Sequence, residues 1–145
     1  MTKTFLDSGV LLTAWRGKEC ADQALSVLED ATREFVSSQM VRLELLPKPK
    51  FFKQSLEVEF YETHLVRVVV EEPLSCDLGD EAMALASTHG VAAADAINVR
   101  SAIRLGAEEF ITSQKPGKPV FRVPGIKIVS LHSLRYPHQQ PGSVG

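Results

Sequence analysis

Cysteine is scarce in this sequence. Its 145 residues include two cysteines, Cys20 and Cys76, and neither lies in a C-x-x-C motif or at a Cys/His spacing typical of zinc sites. Disulfide-stapled secreted domains and structural zinc domains use cysteine more densely and at closer spacing. We therefore expect two reduced cysteines in a cytoplasmic protein, with neither a disulfide framework nor a zinc site.

Long hydrophobic runs are also lacking. No apolar stretch approaches the roughly 18 residues that indicate a transmembrane helix, and the N-terminus has no hydrophobic region of signal-peptide length. A hydrophobic content of 44% with 23% charged residues excludes disordered, collagenous and coiled-coil chains. We expect one globular domain at residues 1–134, a disordered tail at residues 135–145, and no membrane partner.

Acidic side chains are missing from the C-terminal quarter. Residues 1–109 carry 11 basic and 18 acidic side chains, whereas residues 110–145 carry five basic and no acidic ones. The net charge of −2 argues against a general polyanion binder, but this average hides a basic segment. The five basic residues of that segment are Lys115, Lys118, Arg122, Lys127 and Arg135.

Short apolar or β-branched segments alternate with segments of helical periodicity. Strands are predicted at residues 4–6, 35–37, 65–70, 109–112 and 126–129. Helices are predicted at residues 9–12, 19–31, 38–46, 51–64, 79–88 and 92–105. This alternation predicts an α/β fold with a mainly parallel sheet and helices on both of its faces.

Several boundaries and packing positions follow from residue type. Ser8 is predicted to cap the first helix, and Pro47 is predicted to end the third, so that Lys48-Pro49-Lys50 forms a solvated turn. Three prolines and two glycines predict irregular structure at residues 113–125. Trp15 and the phenylalanines at helical spacing are predicted to lie in the core.

Three acids stand in otherwise apolar sequence on three different elements. Asp7 directly follows the first strand, Glu44 lies among leucines and valine, and Asp95 lies among alanines near a helix start. Each also has an ordinary structural role open to it. Asp7 can cap the following helix, Asp95 can act as a helix N-cap or first-turn acid, and Glu44 can pair with Arg42 or Lys48 on a solvated helix face.

Converging carboxylates are the alternative to these separate roles. Ligands in open α/β sheets gather beyond the carboxyl ends of the strands, and carboxylates brought together there repel one another unless a cation neutralises them. Mg²⁺ and Mn²⁺ prefer such oxygen ligands. A site of this kind can polarise a phosphodiester and activate water for in-line attack.

Four segments occur in a characteristic order along the chain: Phe5-Leu6-Asp7-Ser8, the helix that contains Glu44, residues 90–102 around Ala94-Asp95-Ala96, and Phe110-Ile111-Thr112-Ser113. Their order and spacing resemble the PIN-domain nucleases, specifically the VapC-like toxins of bacterial toxin–antitoxin pairs. The resemblance covers roughly residues 3–130 and implies a three-layer α/β/α sandwich with a mainly parallel four- to five-stranded sheet. It further implies a Mg²⁺ or Mn²⁺ site, endoribonuclease activity on an RNA substrate, an antitoxin protein partner and a homodimer.

The resemblance assigns the catalytic metal ligands to Asp7, Glu44 and Asp95. The family's fourth acid usually follows a Thr-Ser pair, and this sequence has Gln114 after Ser113. Glutamine keeps an acceptor oxygen but contributes no charge, so we expect a one-metal site at best, with low or absent activity. Gln114, Ser113 and Asn98, the last of which is one helical turn after Asp95, are auxiliary candidates.

The basic segment directly follows Gln114. Lys115, Lys118 and Arg122 are therefore candidates to hold RNA phosphates beside the acids, although a solvated surface loop explains them equally well. Phe121 can stack on a base, but a packing role is favoured.

Other site types fit the sequence less well. A phosphatase of the haloacid-dehalogenase type needs an Asp two residues after the first one, where Gly9 stands, and a response-regulator receiver needs an Asp after its third strand. Surface or packing roles are expected for the histidines, which show no ligand or triad spacing: His64, His89, His132 and His138.

The leading hypothesis is a metal-dependent endoribonuclease of the PIN/VapC-like group, an enzyme that hydrolyses RNA phosphodiesters with metal-activated water. Gln114 favours the main alternative, which is a degenerate PIN module that binds RNA or a protein without cleaving. A hydrolase of another phosphate ester is a weaker third hypothesis.

Overall fold

The computed structural model of the chain describes residues 1–135. The predicted tail therefore lies outside the described residues, apart from Arg135. The strands are β1 (Thr2–Leu6), β2 (Arg33–Ser38), β3 (Val70–Glu72), β4 (Glu109–Thr112) and β5 (Lys127–Ser130). The helices are α1 (Ser8–Arg16), α2 (Ala21–Leu28), α3 (Gln39–Leu45), α4 (Pro47–Phe51), α5 (Ser55–Leu65), α6 (Cys76–His89) and α7 (Ala93–Arg104), with 3₁₀ turns at Pro119–Arg122 and Leu131–Ser133.

All four strand pairings are parallel, and the strand order is β3-β2-β1-β4-β5. Right-handed crossovers place α1 to α5 on one face of the sheet, and α6 and α7 on the other. The helix contacts agree with this arrangement, because α1 contacts α2, α3 and α5, whereas α6 contacts α7 and the first 3₁₀ turn. The predicted α/β/α class with its parallel sheet is confirmed.

The strand order also creates a crevice. The chain leaves β1 towards β2 and leaves β4 towards β5, so the direction of winding reverses between β1 and β4. Loops diverge at such a point, and open α/β sheets bind ligands there, beyond the carboxyl ends of the strands. Asp7 follows β1 and Ser113 follows β4, so both residues stand at this crevice.

The core fills the space between the sheet and both helical layers. In the sheet, Phe5 of β1 stacks on Phe110 of β4 with ring centroids 5.3 Å apart, and both side chains are fully buried.

No helix among residues 1–135 is long and apolar enough to cross a bilayer.

The predicted strand at residues 65–70 is wrong. Helix α5 continues to Leu65 because Tyr61, His64 and Leu65 form its buried face at helical spacing. The β-branched run that follows is largely exposed, with Val66 81% and Val69 60% accessible. Pairing with β2 begins only at the Val69 N–H, which donates to the Phe35 carbonyl at 3.0 Å, so β3 is a short edge strand.

The predicted stop at Pro47 is also wrong in part. Helix α3 ends at Leu45, but Pro47 then begins α4, which contains Lys48, Pro49 and Lys50. Proline is favoured in the first helical turn because its missing N–H has no intrahelical partner there.

Three aromatic side chains predicted to be core are exposed. Trp15 is 40%, Phe51 is 78% and Phe52 is 57% accessible. Helical spacing predicts a shared face, but these rings pair with neighbouring rings at the surface. Trp15 contacts Phe60 of α5 with ring centroids 5.6 Å apart, and Phe51 contacts Phe52 at 5.0 Å.

Candidate active site

Asp7 directly follows β1 and is 6% exposed. Its backbone N–H donates to the Ile111 carbonyl at 2.9 Å, so the pairing of β1 with β4 continues to this residue. Its Oδ1 accepts a hydrogen bond from the Ser8 N–H at 2.9 Å, and its Oδ2 accepts one from the Thr112 hydroxyl at 3.2 Å. Asp7, rather than the predicted Ser8, is the N-cap of α1, and its carboxylate is fixed inside the crevice.

Thr112 and Gln114 connect Asp7 to Asp95. The Thr112 hydroxyl that donates to Asp7 accepts from the Gln114 backbone N–H at 3.2 Å. The Gln114 side-chain Nε2 donates to Asp95 Oδ2 at 3.1 Å. Asp95 lies in the first turn of α7, so its carboxylate enters the crevice from the helical layer opposite α1. Ser113 lies against Gly9 of α1, since a Cβ added at Gly9 would stand 2.2 Å from the Ser113 Oγ.

Asn98 holds Glu44 in place. Glu44 Oε1 accepts from Asn98 Nδ2 at 2.8 Å, and Asn98 Oδ1 accepts from the Ser38 hydroxyl at 2.7 Å. Asn98 is fully buried on α7, and Ser38 is the N-cap of α3. Glu44 as a whole residue is exposed, but its carboxylate is half-buried and is tied by Asn98 to the helix that carries Asp95.

The alternative ion-pair role of Glu44 with Arg42 is not what the structure shows. Arg42 pairs instead with Glu71 of the edge strand β3, with 2.8 Å between Nη2 and Oε2. Successive residues of a helix point in different directions, so Arg42 faces the sheet edge while Glu44 faces α7.

The pKa values of Asp7 and Glu44 are both raised. The pKa of Asp7 is raised to about 7, chiefly by burial and then by the charges of Asp95 and Glu44. The pKa of Glu44 is raised chiefly by burial of its carboxylate, and further by the charge of Asp95. Hydrogen bonds from Thr112 and Ser8 oppose the rise at Asp7 without cancelling it.

Neutral donors, not cations, compensate these charges. The groups that lower the pKa of Asp7 and Glu44 are hydroxyl, amide and backbone donors. The donor set that converges on the crevice is therefore all oxygen and carries up to three negative charges, which fits a hard divalent cation such as Mg²⁺ or Mn²⁺. Gln114 faces Asp95 through its amide and can offer a neutral oxygen only after the amide turns.

The basic side chains after Gln114 do not all face the same way. Lys115 and Lys118 are exposed. Arg122 is exposed as well, but its Nη1 donates to the His89 carbonyl at 3.3 Å, at the C-terminal end of α6. Phe121 is partly buried against the core, in agreement with the favoured packing role.

A groove adjoins Glu44 on the α1 side. It is a cavity of about 480 Å³ bounded by side chains of α1, α3, α4 and α5. Its wall includes the exposed aromatic rings of Trp15 and Phe52 together with Arg16 and Lys48.

Sequence reasoning missed the residues that hold the acids. Thr112 contacts Asp7 across 105 residues of sequence, and Ser38 contacts Asn98 across 60. Their position in the sequence could have indicated this role, because each is the last residue of a strand and so lies at the carboxyl edge of the sheet.

The sequence also indicated no metal-ligating neighbours for the cysteines, yet the structure brings Cys20 together with Glu19 and His132.

The chain also matches a known protein family. Residues 4–115 match the model of the PIN domain, and the match covers Asp7, Glu44, Asp95 and Gln114. The chain belongs to the PIN domain family. A search of curated protein sequences finds no match.

Solved structures share the PIN fold at low sequence identity. A toxin–antitoxin complex from Klebsiella pneumoniae superposes with a TM-score of 0.67 at 20% identity, covering 88% of this chain and 97% of that one. VapBC2 from Rickettsia felis bound to a promoter DNA fragment gives 0.66 at 16% identity, covering 89% and 98%. DNA-bound VapBC from Salmonella typhimurium gives 0.65 at 17% identity, covering 90% and 99%.

Proposed function

We propose that this PIN domain is a metal-dependent endoribonuclease in which Asp7, Glu44 and Asp95 hold Mg²⁺ or Mn²⁺. One observation carries the proposal. Asp7 after β1, Glu44 of α3 and Asp95 of α7 lie near enough to one another that the charges of Asp95 and Glu44 raise the pKa of Asp7, and the charge of Asp95 raises that of Glu44. A bound proton or cation relieves such repulsion.

The chain's own residues prepare the site. Ser8 and Thr112 hold Asp7 by both oxygens, Asn98 holds Glu44, and Gln114 holds Oδ2 of Asp95. These contacts fix the carboxylates before any ligand arrives, which lowers the cost of ordering them. A cation bound there supplies Lewis-acid polarisation of the phosphodiester and lowers the pKa of water.

The surroundings of the acids support a nucleic-acid substrate. Lys115 and Lys118 offer exposed charges for phosphates next to Gln114, with Arg122 further along the segment. The exposed rings of Trp15 and Phe52 in the groove beside Glu44 offer faces on which single-stranded bases stack.

The biological setting is part of the same proposal. The similar solved structures include toxin–antitoxin complexes, and we propose that this chain is a cytoplasmic toxin that forms a homodimer and is bound by an antitoxin. Its functional unit is the domain at residues 1–134.

The direct test is RNA cleavage with Mn²⁺ or Mg²⁺. We expect purified protein to cleave RNA, EDTA to stop the reaction, and Asp7→Asn, Glu44→Gln and Asp95→Asn each to lower the rate by at least about 100-fold, because each removes a charged ligand. Asp77→Asn is the matched control, since Asp77 is an exposed first-turn acid of α6. Equal rates for Asp95→Asn and Asp77→Asn would refute the proposal.

Gln114 favours a second candidate, a PIN module that binds RNA or a protein without cleaving. Such a module would keep its RNA affinity in EDTA and form no product over hours, whereas the nuclease would form product only with metal. Nucleotides tested beside RNA in the same assay would reveal hydrolysis of another phosphate ester.

A further inference from the structure

A second group of metal-ligating side chains lies outside the acid crevice. Glu19 and Cys20 stand in the connection between α1 and α2, and His132 stands in the 3₁₀ turn after β5. One ligand atom of each, a carboxylate oxygen, Sγ and Nδ1, lies within 4.8 Å of the other two. Residues separated by 112 positions in the sequence thus present a thiol, an imidazole and a carboxylate to one point.

The two separations from His132 Nδ1 match tetrahedral coordination. Cys20 Sγ lies 3.5 Å from His132 Nδ1, and His132 Nδ1 lies 3.6 Å from Glu19 Oε1. Bonds of about 2.3 Å to sulfur and about 2.0–2.1 Å to nitrogen or oxygen, at tetrahedral angles, put neighbouring ligand atoms about 3.3–3.6 Å apart. Cys20 and Glu19 both face the same ring nitrogen of His132, Nδ1. This argues against a catalytic Cys-His-Glu triad, in which the thiol and the acid would contact different ring nitrogens.

The chemistry of the donors selects the ion. A thiolate and an imidazole favour a borderline-soft cation over Mg²⁺ or Mn²⁺, and one sulfur, one nitrogen and one oxygen ligand suit Zn²⁺. The Glu19 side chain is 74% exposed and that of His132 is 23% exposed, so the site faces solvent on the Glu19 side. This leaves the fourth position of a tetrahedron to water.

The backbone brings Cys20 to this point in an unusual conformation. Cys20 has φ 68° and ψ 10°, in the left-handed region, and it precedes the first residue of α2. Non-glycine residues adopt this region at an energetic cost, and such residues cluster at functional sites.

From these four observations we propose that Glu19, Cys20 and His132 form a three-ligand Zn²⁺ site separate from the acid crevice. Bound zinc joins the connection between α1 and α2 to the segment after β5. That segment reaches the crevice, because Ser130 Oγ accepts from the His132 N–H at 3.1 Å and donates to the Gln114 carbonyl at 2.6 Å. The zinc site therefore steadies the loop that carries Gln114, whether or not the chain cleaves RNA.

Cobalt titration of the full chain tests this site, since Co²⁺ replaces Zn²⁺ and gives a sulfur-to-metal charge-transfer band only when a thiolate is bound. The all-oxygen crevice cannot produce that band. We expect the band in the native chain and in Cys76→Ser, the control for the other free cysteine, with displacement by one equivalent of Zn²⁺. We expect no band in Cys20→Ser, and affinity at least about 10-fold weaker in His132→Gln and in Glu19→Gln.

One further variant, together with the exposed position of Glu19, guards against misfolding. Cys20→Gly removes the thiol, and glycine suits the positive φ at this position. Without metal, its melting temperature should be at least as high as that of the native chain. It should show neither the charge-transfer band nor the Zn²⁺-induced rise in melting temperature. Glu19 is exposed, so Glu19→Gln should not alter folding. Absence of the band in the native chain, its survival in Cys20→Ser, or unchanged affinity in either His132→Gln or Glu19→Gln would overturn the three-ligand site.

Discussion

At the scale of single residues, the acids proposed as metal ligands could be selected from the sequence, but the residues that hold them could not. Asp7, Glu44 and Asp95 stand out because each is an acid in apolar sequence. Thr112 and Ser38 do not stand out, because the role of a hydroxyl at a strand end depends on its hydrogen-bond partner, and that partner lies far away in the sequence. Cys20 and His132 were missed for the same reason, because 112 positions separate them and no local spacing relates them.

The raised pKa of Asp7 makes the stability of the metal-free protein depend on pH. A folded-state pKa of about 7, above the ordinary aspartate value of 3.8, means that the folded protein holds a proton that the unfolded chain releases. The free energy of unfolding should therefore fall as the pH rises from about 4 to about 7, by an amount on the order of a few kcal/mol.

Comparison with Asp7→Asn isolates this effect. His64 contributes the opposite slope, because burial lowers its pKa to about 4 and its charging destabilises the fold as the pH falls below about 6.5. In EDTA, the free energy of unfolding of Asp7→Asn should rise relative to that of the native chain as the pH rises from about 4 to about 7. Above about pH 7 the difference between the two free energies should stay constant. Denaturant unfolding measures this, and a gap that is independent of pH would contradict the raised pKa.

Gln114→Asp should tighten binding of Mn²⁺ by about 10-fold or more, because it adds a carboxylate beside Asp95, where the Gln114 amide now stands 3.1 Å from Oδ2. Calorimetry in the native chain and the variant measures the difference. Gln23→Asp, which adds the same charge on α2, should leave the affinity unchanged. An unchanged affinity in Gln114→Asp would mean that this position does not face the metal.

At the scale of elements, the sequence predicted most helices and strands and failed where packing overrode propensity. The β-branched run at residues 65–70 has high strand propensity, yet α5 extends to Leu65 because Tyr61, His64 and Leu65 bury one face together. Pro47 looks like a helix stop, but a proline also suits the first turn of the next helix, and only the structure distinguishes these two roles.

The contact between α1 and the end of β4 supplies a prediction at this scale. A Cβ at Gly9 would lie 2.2 Å from the Oγ and 3.3 Å from the Cβ of Ser113, so Gly9→Ala should displace the Ser113–Gln114 segment. We expect a loss of about 1–2 kcal/mol in the free energy of unfolding, although alanine is the better helix former by about 1 kcal/mol.

A second substitution makes this prediction decisive. In a Ser113→Gly background the contact is gone, so Gly9→Ala should become neutral or stabilising there. Urea unfolding of the four variants of this cycle gives the coupling energy. A coupling near zero would mean that α1 and the end of β4 do not meet as described.

At the scale of the whole molecule, the alternation of elements predicted the α/β class, whereas the strand order could not be read from it. The order β3-β2-β1-β4-β5 places the reversal of winding between β1 and β4, and this reversal brings Asp7 and Gln114, which lie on separate elements, to one crevice. The net charge of −2 was likewise uninformative by itself. The negative charges of the crevice acids and the positive charges of the basic segment after Gln114 offset each other in that sum.

The central claim is that the three carboxylates hold a divalent cation at the switch point. The most direct measurement is a crystal structure of the protein grown with Mn²⁺, with anomalous diffraction collected to locate the ion. We expect an anomalous peak within ligand distance of Asp7, Glu44 and Asp95, and no such peak in crystals of Asp95→Asn. Crystals with ordered carboxylates and no peak between them, or a peak that persists unchanged in Asp95→Asn, would contradict it.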